Sequence, residues 1–228
     1  MMIELEALLD ADAVRRIRVL FEHAPWADGR VTAGYQSALA KNNEQLPEDC
    51  AEAREAGAMI LAALERSLVF QSAALPRFVF PPLFNRYAVG RGFGSHVDNA
   101  WRPSTNGARL RTDLSATLFL SDPDEYEGGE LVIEDGHDGK RVKLPAGHLF
   151  LYPATSLHSV SPVTRGTRMA SFFWVESIVA DAGRRDILFD MDIAIQSLRP
   201  RVGDDDAALI ALTGCYHNLV RSWSAGSG

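Results

Sequence analysis

The chain has 228 residues, of which 46% are hydrophobic and 23% are charged, a composition typical of a globular domain with a sizeable core. Its formal net charge of -7 and isoelectric point near 5.4 argue against a duplex nucleic-acid binder, which normally presents a basic surface. Residues 1–14 lack a basic start, and no stretch reaches the ~18 apolar residues of a membrane span. The sequence therefore predicts a cytoplasmic protein with no nucleic-acid or membrane partner.

The two cysteines, Cys50 and Cys215, are far apart in the sequence and form no pair with metal-ligand spacing. Two isolated cysteines do not make a disulfide framework, so the chain is typical of a reducing compartment.

Two helical regions precede the first strands. Residues 10–24 are predicted to form a helix that Asp10 or Asp12 can cap and that Pro25 ends. Its apolar side chains recur at helical spacing: Val14, Ile17, Leu20 and Phe21. Residues 26–36 suggest a loop and a short strand, and the Ala-, Glu- and Leu-rich residues 48–72 predict a second helix.

From residue 76 the chain consists of short apolar or alternating runs that Gly, Pro, Asp and Asn interrupt, such as "LSATLFLS" and "HLFLYP". This pattern is typical of an antiparallel β sandwich, barrel or jelly roll. Helical spacing returns after residue 180, with apolar side chains predicted on one side of a helix: Ile187, Leu188, Met191, Ile195 and Leu198. We therefore predict three segments: a helical flank at 1–75, a β core at 76–178 and a helical appendage at 179–228.

The stretch "GFGSHVDNA" places His96 and Asp98 two residues apart, so both point to one side of an extended backbone. Within the same β-rich region, His158 is followed ten residues later by Arg168. Two imidazoles and one carboxylate form the facial triad that binds iron in non-haem Fe(II) oxygenases and leaves coordination positions open. The planar guanidinium of Arg168 suits the distal carboxylate of a 2-oxo acid. A turn near 164–167 predicts that Arg168 starts a strand running back beside His158.

Four stretches, taken together, resemble a known family over nearly the whole chain: "WADGRVTAGYQSALAKNNEQL", "NRYAVGRGFGSHVDNA", "YEGGELVIED" and "KLPAGHLFLYPATSLHSVSPVTRGTRMASFFWVES". They are similar to the bacterial PKHD-type (prolyl/lysyl hydroxylase domain) Fe(II)/2-oxoglutarate dioxygenases, in the group associated with iron uptake. The resemblance implies an α+β fold, in which a double-stranded β-helix (jelly roll) carries N-terminal helices and a C-terminal helical appendage.

The resemblance also implies an activity and its cofactors. His96, Asp98 and His158 would be the iron ligands, Arg168 would anchor the C5 carboxylate of 2-oxoglutarate, and Tyr87 would hydrogen-bond this cosubstrate. The enzyme would convert 2-oxoglutarate and O2 to succinate and CO2 while hydroxylating an unidentified substrate, and L-ascorbate would keep the iron reduced. A siderophore or related small molecule is one substrate class that the iron-uptake link suggests, and the C-terminal helices could shape the pocket or form a homodimer contact.

Several other interpretations stay open on the sequence alone. Arg168 could be a salt-bridged strand residue, Tyr87 could be a core aromatic, and the polar segment 99–112 could be a lid or a surface loop. The glycines at 90, 92 and 94 lack the strand–loop–helix context of a phosphate-binding loop. Of the other histidines, His137 and His148 are expected to be structural or exposed, and His23 and His217 lie on the first and last predicted helices. A non-catalytic metal-binding module on the same fold is the alternative function.

Overall fold

The computed structural model describes residues 1–32, 40–103, 109–134 and 139–224. The helices in these residues are α1 (Ala11–Phe21), α2 (Ala51–Arg66), α3 (Leu68–Ala74), α4 (Ala182–Val202) and α5 (Ala207–Trp223). The strands are β1 (Ile3–Leu5), β2 (Ala27–Asp28), β3 (Lys41–Asn42), β4 (Glu44–Gln45), β5 (Pro76–Val79), β6 (Leu83–Tyr87), β7 (Gly92–His96), β8 (Trp101–Pro103), β9 (Arg109–Arg111), β10 (Leu114–Phe119), β11 (Tyr126–Gly128), β12 (Leu131–Ile133), β13 (Lys140–Val142), β14 (Leu149–Pro153), β15 (His158–Val160), β16 (Val163–Gly166) and β17 (Arg168–Ser177).

Two antiparallel sheets form the centre of the molecule. The larger sheet has the order β1-β14-β10-β17-β6-β4-β2, and β5 also pairs with β17. The smaller sheet has the order β13-β12-β15-β7-β3, while β11-β16 and β8-β9 form separate ribbons. Apolar side chains of both sheets pack against each other, among them Phe119 and Phe150 from the larger and Leu131 and Ile133 from the smaller. Part of the space between the two sheets is therefore hydrophobic core.

Strand alternation divides the larger sheet into two faces. On β10, Leu114, Ala116 and Leu118 join the core cluster that contains the buried residues of α1, α2 and α3. Ser115 and Thr117 point to the other side, toward the smaller sheet, because successive side chains of a strand alternate. All six residues of β10 are buried, since helices cover one face and the second sheet covers the other.

The first predicted helix is present as α1 but ends at Phe21, before the predicted end at Pro25, and the second is correct except for an interruption. Asp10 caps α1 by accepting a hydrogen bond from the backbone N–H of Ala13. Ser67, however, breaks the predicted helix at 48–72 into α2 and α3. Its backbone is extended, its N–H bonds the end of α2, and its hydroxyl accepts from the N–H of Phe70 at the start of α3.

The first 75 residues also contribute strands to both sheets. β1 pairs with β14 and β4 with β6 in the larger sheet, and β3 pairs with β7 in the smaller one. The three-segment division of the chain stays a prediction, and these pairings add that the first segment is continuous with the sheets.

The two C-terminal helices lie where helical spacing returns in the sequence, but the predicted apolar stripe is only partly buried. Leu188 and Ile195 are buried, whereas Ile187, about 100° away from Leu188 around the helix, lies outside the buried face and is exposed. In the described part of the chain, no helix is both long enough and apolar enough to cross a membrane.

Candidate active site

Three side chains with metal-ligand chemistry meet between the sheets. His96 is the last residue of β7, Asp98 follows two residues later, and His158 is the first residue of β15. One ligand atom from each lies within 4.8 Å of the others, and His158 Nε2 is 3.9 Å from Asp98 Oδ2. His96 and His158 are direct partners in the β7–β15 pairing, so the sheet itself brings two distant parts of the sequence together.

Backbone carbonyls fix the tautomer of both imidazoles. The Nδ1 of His96 lies 2.9 Å from the carbonyl oxygen of Gly94, and the Nδ1 of His158 lies 3.0 Å from that of Ser156. A carbonyl oxygen only accepts, so each Nδ1 carries the proton and each Nε2 keeps its lone pair. Burial and the neighbouring His158 lower the pKa of His96 to about 4, which holds the ring in its neutral, ligand-competent form.

The carboxylate is also held in place. The hydroxyl of Ser115, on the inner face of β10, donates a hydrogen bond of 2.6 Å to Oδ2 of Asp98. Within the smaller sheet, Gly92 allows β7 to approach β15 closely, because a Cβ there would lie 2.8 Å from the carbonyl oxygen of Val160. The three donors are therefore positioned by both sheets and can hold a metal ion with positions left open.

Arg168 reaches the same pocket from the opposite sheet, so the expected strand pairing was wrong. It starts β17, which pairs with β10, β6 and β5 in the larger sheet, while β15 pairs with β12 and β7 in the smaller one. The connecting residues form β16, which pairs with β11 instead of closing a hairpin onto β17. The chain crosses from one sheet to the other between His158 and Arg168, and the two side chains face each other across the pocket.

Arg168 is buried, and the residues that the structure describes supply no acidic partner for it. Its side chain is 1% exposed, its Nε has no hydrogen-bond acceptor, and among the described residues no carboxylate forms an ion pair with it. The guanidinium lies 5.4 Å from the ring centre of Tyr87 and 5.3 Å from that of Phe119. A buried charge without a counter-ion is costly, so this arrangement calls for an anionic ligand.

Tyr87 lies directly opposite Arg168 in the β6–β17 pairing. Its side chain is fully enclosed, and Asn85 Nδ2 donates a 3.4 Å hydrogen bond to its hydroxyl oxygen. Burial raises the pKa of Tyr87, so the phenol stays protonated and can donate a hydrogen bond into the pocket.

The pocket also contains residues that the sequence patterns did not single out as functional. They include Lys41 on β3, Ser115 on β10, and Phe172 and Trp174 on β17. Strand alternation could have identified Ser115, Phe172 and Trp174, because Ser115 shares the inner face of β10 with Thr117. Phe172 and Trp174 likewise share the inner face of β17 with Arg168. Nothing in the sequence around Lys41 distinguishes it from a surface lysine.

Of the remaining histidines, His148 interacts with Glu4, 2.9 Å away, on the side of β14 that bears β1. His23 and His217 are exposed, and His137 lies outside the described residues. In the segment 99–112, β8 and β9 pair as a ribbon, and Arg102 on β8 lines the pocket. Asn106 lies outside the described part of that segment.

Two family models match the chain. Residues 82–176 match the 2OG-Fe(II) oxygenase superfamily, and residues 182–225 match the PKHD-type hydroxylase C-terminal domain. The first match spans β6 to β17 and contains the His96, Asp98 and His158 cluster as well as Arg168. The second covers α4 and α5.

Curated relatives match along almost the entire chain. A PKHD-type hydroxylase of Phenylobacterium zucineum is 56% identical over 225 residues, which cover 98% of this chain and 99% of the relative. A PKHD-type hydroxylase of Xanthomonas axonopodis pv. citri is 56% identical over 227 residues, with the same coverage of both chains.

Solved structures share the fold. A viral collagen prolyl hydroxylase from Paramecium Bursaria Chlorella virus-1, in complex with 2OG, aligns with a TM-score of 0.54 at 16% identity. The alignment covers 77% of this chain and 96% of the viral chain. HygX from Streptomyces hygroscopicus, with nickel and 2-oxoglutarate bound, gives a TM-score of 0.52 at 13% identity and covers 77% and 82%.

These structural matches confirm the predicted α+β fold with a jelly-roll core. The curated relatives confirm the resemblance seen in the sequence and make the chain an enzyme, for which the family implies Fe(II) and 2-oxoglutarate. The chain belongs to the PKHD-type hydroxylases of the 2OG-Fe(II) oxygenase superfamily.

Proposed function

We propose that His96, Asp98 and His158 hold the catalytic iron and that Arg168 binds the distal carboxylate of 2-oxoglutarate while a substrate is hydroxylated. The observation that carries this proposal is the pairing, in one pocket, of a metal-ligand cluster with a buried arginine that has no acidic partner among the described residues. A dianionic 2-oxo acid fits both the metal-ligand cluster and the buried arginine, since its 2-oxo acid end chelates a metal and its distal carboxylate binds a guanidinium.

When bound, Fe(II) and 2-oxoglutarate supply the chemistry, in which O2 is reduced, 2-oxoglutarate becomes succinate and CO2, and a substrate C–H bond becomes C–OH. The protein contributes geometry. Carbonyls of Gly94 and Ser156 orient the two imidazoles, and the Ser115 hydroxyl orients Asp98. Arg168 and Tyr87 fix the cosubstrate end that does not react.

Tyr87 is proposed to hydrogen-bond the carboxylate that Arg168 binds. Its position opposite Arg168 on the neighbouring strand and its protonated hydroxyl support this role. An exchange of Tyr87 for Phe keeps the ring under the guanidinium and removes only the donor, so it isolates the contribution of the hydrogen bond to cosubstrate affinity.

The test is anaerobic loading with Fe(II) and 2-oxoglutarate, followed by O2 and a succinate assay, in wild type and Arg168→Ala. We expect slow succinate formation without substrate in the wild type and a visible metal-to-2-oxoglutarate charge-transfer band. Both should weaken sharply in Arg168→Ala. Arg165→Ala is the matched control, because Arg165 is an exposed residue of β16 that pairs with Glu127.

The alternative of a non-catalytic metal-binding module is not favoured, because the relatives are named as hydroxylases. That alternative predicts iron binding with neither the charge-transfer band nor succinate. Such a result in the wild type would overturn the proposed function.

Three finer points belong to the same proposal. L-ascorbate is proposed as the reductant that keeps the iron active, and omitting it should shorten the linear phase of succinate formation. A substrate linked to iron uptake rests on the sequence resemblance, and a siderophore-type substrate should raise succinate formation above the basal rate. A cytoplasmic location is supported by the two free cysteines, Cys50 and Cys215, and cell fractionation tests it.

We also propose a homodimer formed through the C-terminal helices. Their exposed apolar side chains support it: Ile187, Ile193, Ile210 and Leu212. Light scattering after size-exclusion chromatography should give twice the mass of the chain, and Ile210→Glu should reduce it to that of a monomer. A wild-type monomer at micromolar concentration would contradict this proposal.

A further inference from the structure

Tyr126, the first residue of β11, carries a buried hydroxyl to which the proposed function gives no role. Its side chain is 1% exposed, and its Oη has no hydrogen-bond partner among the described residues. Buried polar groups of folded proteins are normally hydrogen-bonded, because an unpaired group loses its interactions with water and gains none in return. A phenol in this position therefore indicates an interaction that completes its hydrogen bonding.

The side chain beside this phenol is that of Arg168. A Cβ added to Gly129 would lie 3.1 Å both from Cδ2 of Tyr126 and from Cδ of Arg168, so the two side chains flank the same point. Burial raises the pKa of Tyr126, and the positive charge and the hydrogen-bonding groups of Arg168 oppose that rise. The phenol therefore stays protonated beside a guanidinium. Neither its Oη nor Nε of Arg168, however, makes a hydrogen bond of regular geometry with the described residues.

Strand pairing holds Tyr126 against the start of β17. Tyr126 pairs with Gly166 in the β11–β16 ribbon, two residues before Arg168 in the sequence. Gly166 has a φ of +72°, and a side chain there would collide with the carbonyl oxygen of Glu125, so β11 passes directly over the chain that leads into Arg168. Lys143 secures the same residue, since its Nζ donates a 2.7 Å hydrogen bond to the carbonyl oxygen of Tyr126 and lies 4.1 Å from the centre of its ring. The position of the phenol relative to Arg168 is therefore set by the backbone.

Two other aromatic rings lie near the guanidinium of Arg168 without fixing its plane. The ring centres of Tyr87 and Phe119 are 5.4 Å and 5.3 Å from the guanidinium carbon, and such contacts are less directional than a hydrogen bond. A guanidinium that binds a carboxylate with two parallel hydrogen bonds must present its fork in one plane. A hydrogen bond from Nε to the Tyr126 hydroxyl would fix that plane and leave both terminal nitrogens for the carboxylate.

We propose that Tyr126 is a positioning residue for the cosubstrate: its hydroxyl accepts a hydrogen bond from Nε of Arg168 and thereby orients the guanidinium toward the distal carboxylate of 2-oxoglutarate. This inference rests on the proposed function, which assigns that carboxylate to Arg168. Tyr126 does not line the pocket, so it acts through Arg168. It affects the affinity for the distal carboxylate, and binding of the metal and of the 2-oxo acid end does not depend on it.

The test compares Tyr126→Phe with the wild type in two anaerobic titrations of the Fe(II)-loaded protein. One titration uses 2-oxoglutarate, and the other uses pyruvate, a 2-oxo acid that chelates the metal but has no distal carboxylate. The metal-to-ligand charge-transfer band reports binding in both. We expect the Kd of 2-oxoglutarate to rise about tenfold in Tyr126→Phe, the usual effect of losing a hydrogen bond to a charged group. The Kd of pyruvate should be unchanged, and so should the affinity for Mn(II) measured without a 2-oxo acid.

Phenylalanine keeps the ring of Tyr126 and its contact with Lys143 and removes only the oxygen. Tyr216→Phe is the matched control, because Tyr216 is a half-buried tyrosine of α5 that packs against the cluster around Leu188. If 2-oxoglutarate binds equally well to both variants, the inference is overturned and the proposed function stands. The same holds if Tyr126→Phe weakens binding of pyruvate or Mn(II) as much as that of 2-oxoglutarate. If the wild type gives no band with 2-oxoglutarate, the proposed function fails, and this inference fails with it.

Discussion

His96 and His158 are register partners across β7 and β15, and their ring centres lie 4.3 Å apart. They are separated by 61 intervening residues in the sequence, yet one antiparallel strand pair sets their distance. Asp98 completes the cluster because the chain leaves β7 at His96 and turns its carboxylate toward His158 Nε2. The rigidity of a paired, half-buried strand is what gives the cluster a fixed geometry before any ligand arrives.

His158→Ala should abolish succinate formation from 2-oxoglutarate while the protein stays folded. The ring is one of three proposed ligands, and its removal leaves too few donors to hold Fe(II) firmly. His148→Ala is the control, because His148 interacts with Glu4 away from the cluster. Succinate formation at the wild-type rate in His158→Ala would refute the ligand assignment.

Ser115→Ala should weaken metal binding by about 10- to 100-fold, because the hydroxyl of Ser115 orients the Asp98 carboxylate through a 2.6 Å hydrogen bond. Titration with Fe(II) or Mn(II) measures the change. Ser171→Ala is a matched control on β17, since the Ser171 hydroxyl is buried but makes no hydrogen bond. Equal metal affinities in the two variants would show that Ser115 does not position Asp98.

Gly129→Ala should lower the affinity for 2-oxoglutarate as well as stability. Gly129 has a φ of +64°, where a side chain costs about 1–2 kcal/mol, and an added Cβ would lie 3.1 Å from Cδ of Arg168. Gly90→Ala separates the two effects, because Gly90 has a φ of +79° with no atom within 4 Å of the added Cβ. Similar losses of cosubstrate affinity in both variants would mean that backbone strain alone, and not contact with Arg168, is responsible.

The protein should become more stable as the pH rises from about 8 to 10.5, because Lys41 loses its proton in the folded state before it does in the unfolded chain. Burial lowers the pKa of Lys41 from 10.5 to about 8, so in this window the unfolded chain holds a proton that the folded protein has released. The free energy of unfolding therefore increases with pH, by at most about 3 kcal/mol from this group. Urea titrations of wild type and Lys41→Met at several pH values measure it, and parallel pH profiles would exclude the effect.

The sequence predicted which side chains meet in the pocket better than it predicted how the strands that carry them pair. The spacing of the sequence motif predicted which four side chains meet at the pocket: His96, Asp98, His158 and Arg168. The turn after His158, however, suggested a hairpin that would place Arg168 beside it. Local sequence does not show which strand pairs with which, because β15 and β16 have only three and four residues and the turn before β17 fits a hairpin as well as a crossing to the other sheet. Pairing depends on the whole set of strands competing for partners.

Helix positions were predicted from periodicity and capping, since both depend on neighbouring residues. Asp10 and the apolar spacing of α1 are local signals. The break at Ser67 was not anticipated, because Ser67 ends one helix and caps the next within an otherwise helix-favouring stretch.

By itself, the sequence determined the α+β class, the family and the residue types that suit iron and 2-oxoglutarate, because composition, periodicity and short motifs are properties of the chain alone. The tertiary structure decided that Arg168 faces the cluster from the opposite sheet, and that Lys41 and Arg102 line the same pocket. These placements follow from strand pairing and from the packing of two sheets, which bring together residues from distant parts of the chain. The residues of the metal-ligand cluster were therefore recognisable in the sequence, whereas the arrangement of the pocket around them became visible only in the fold.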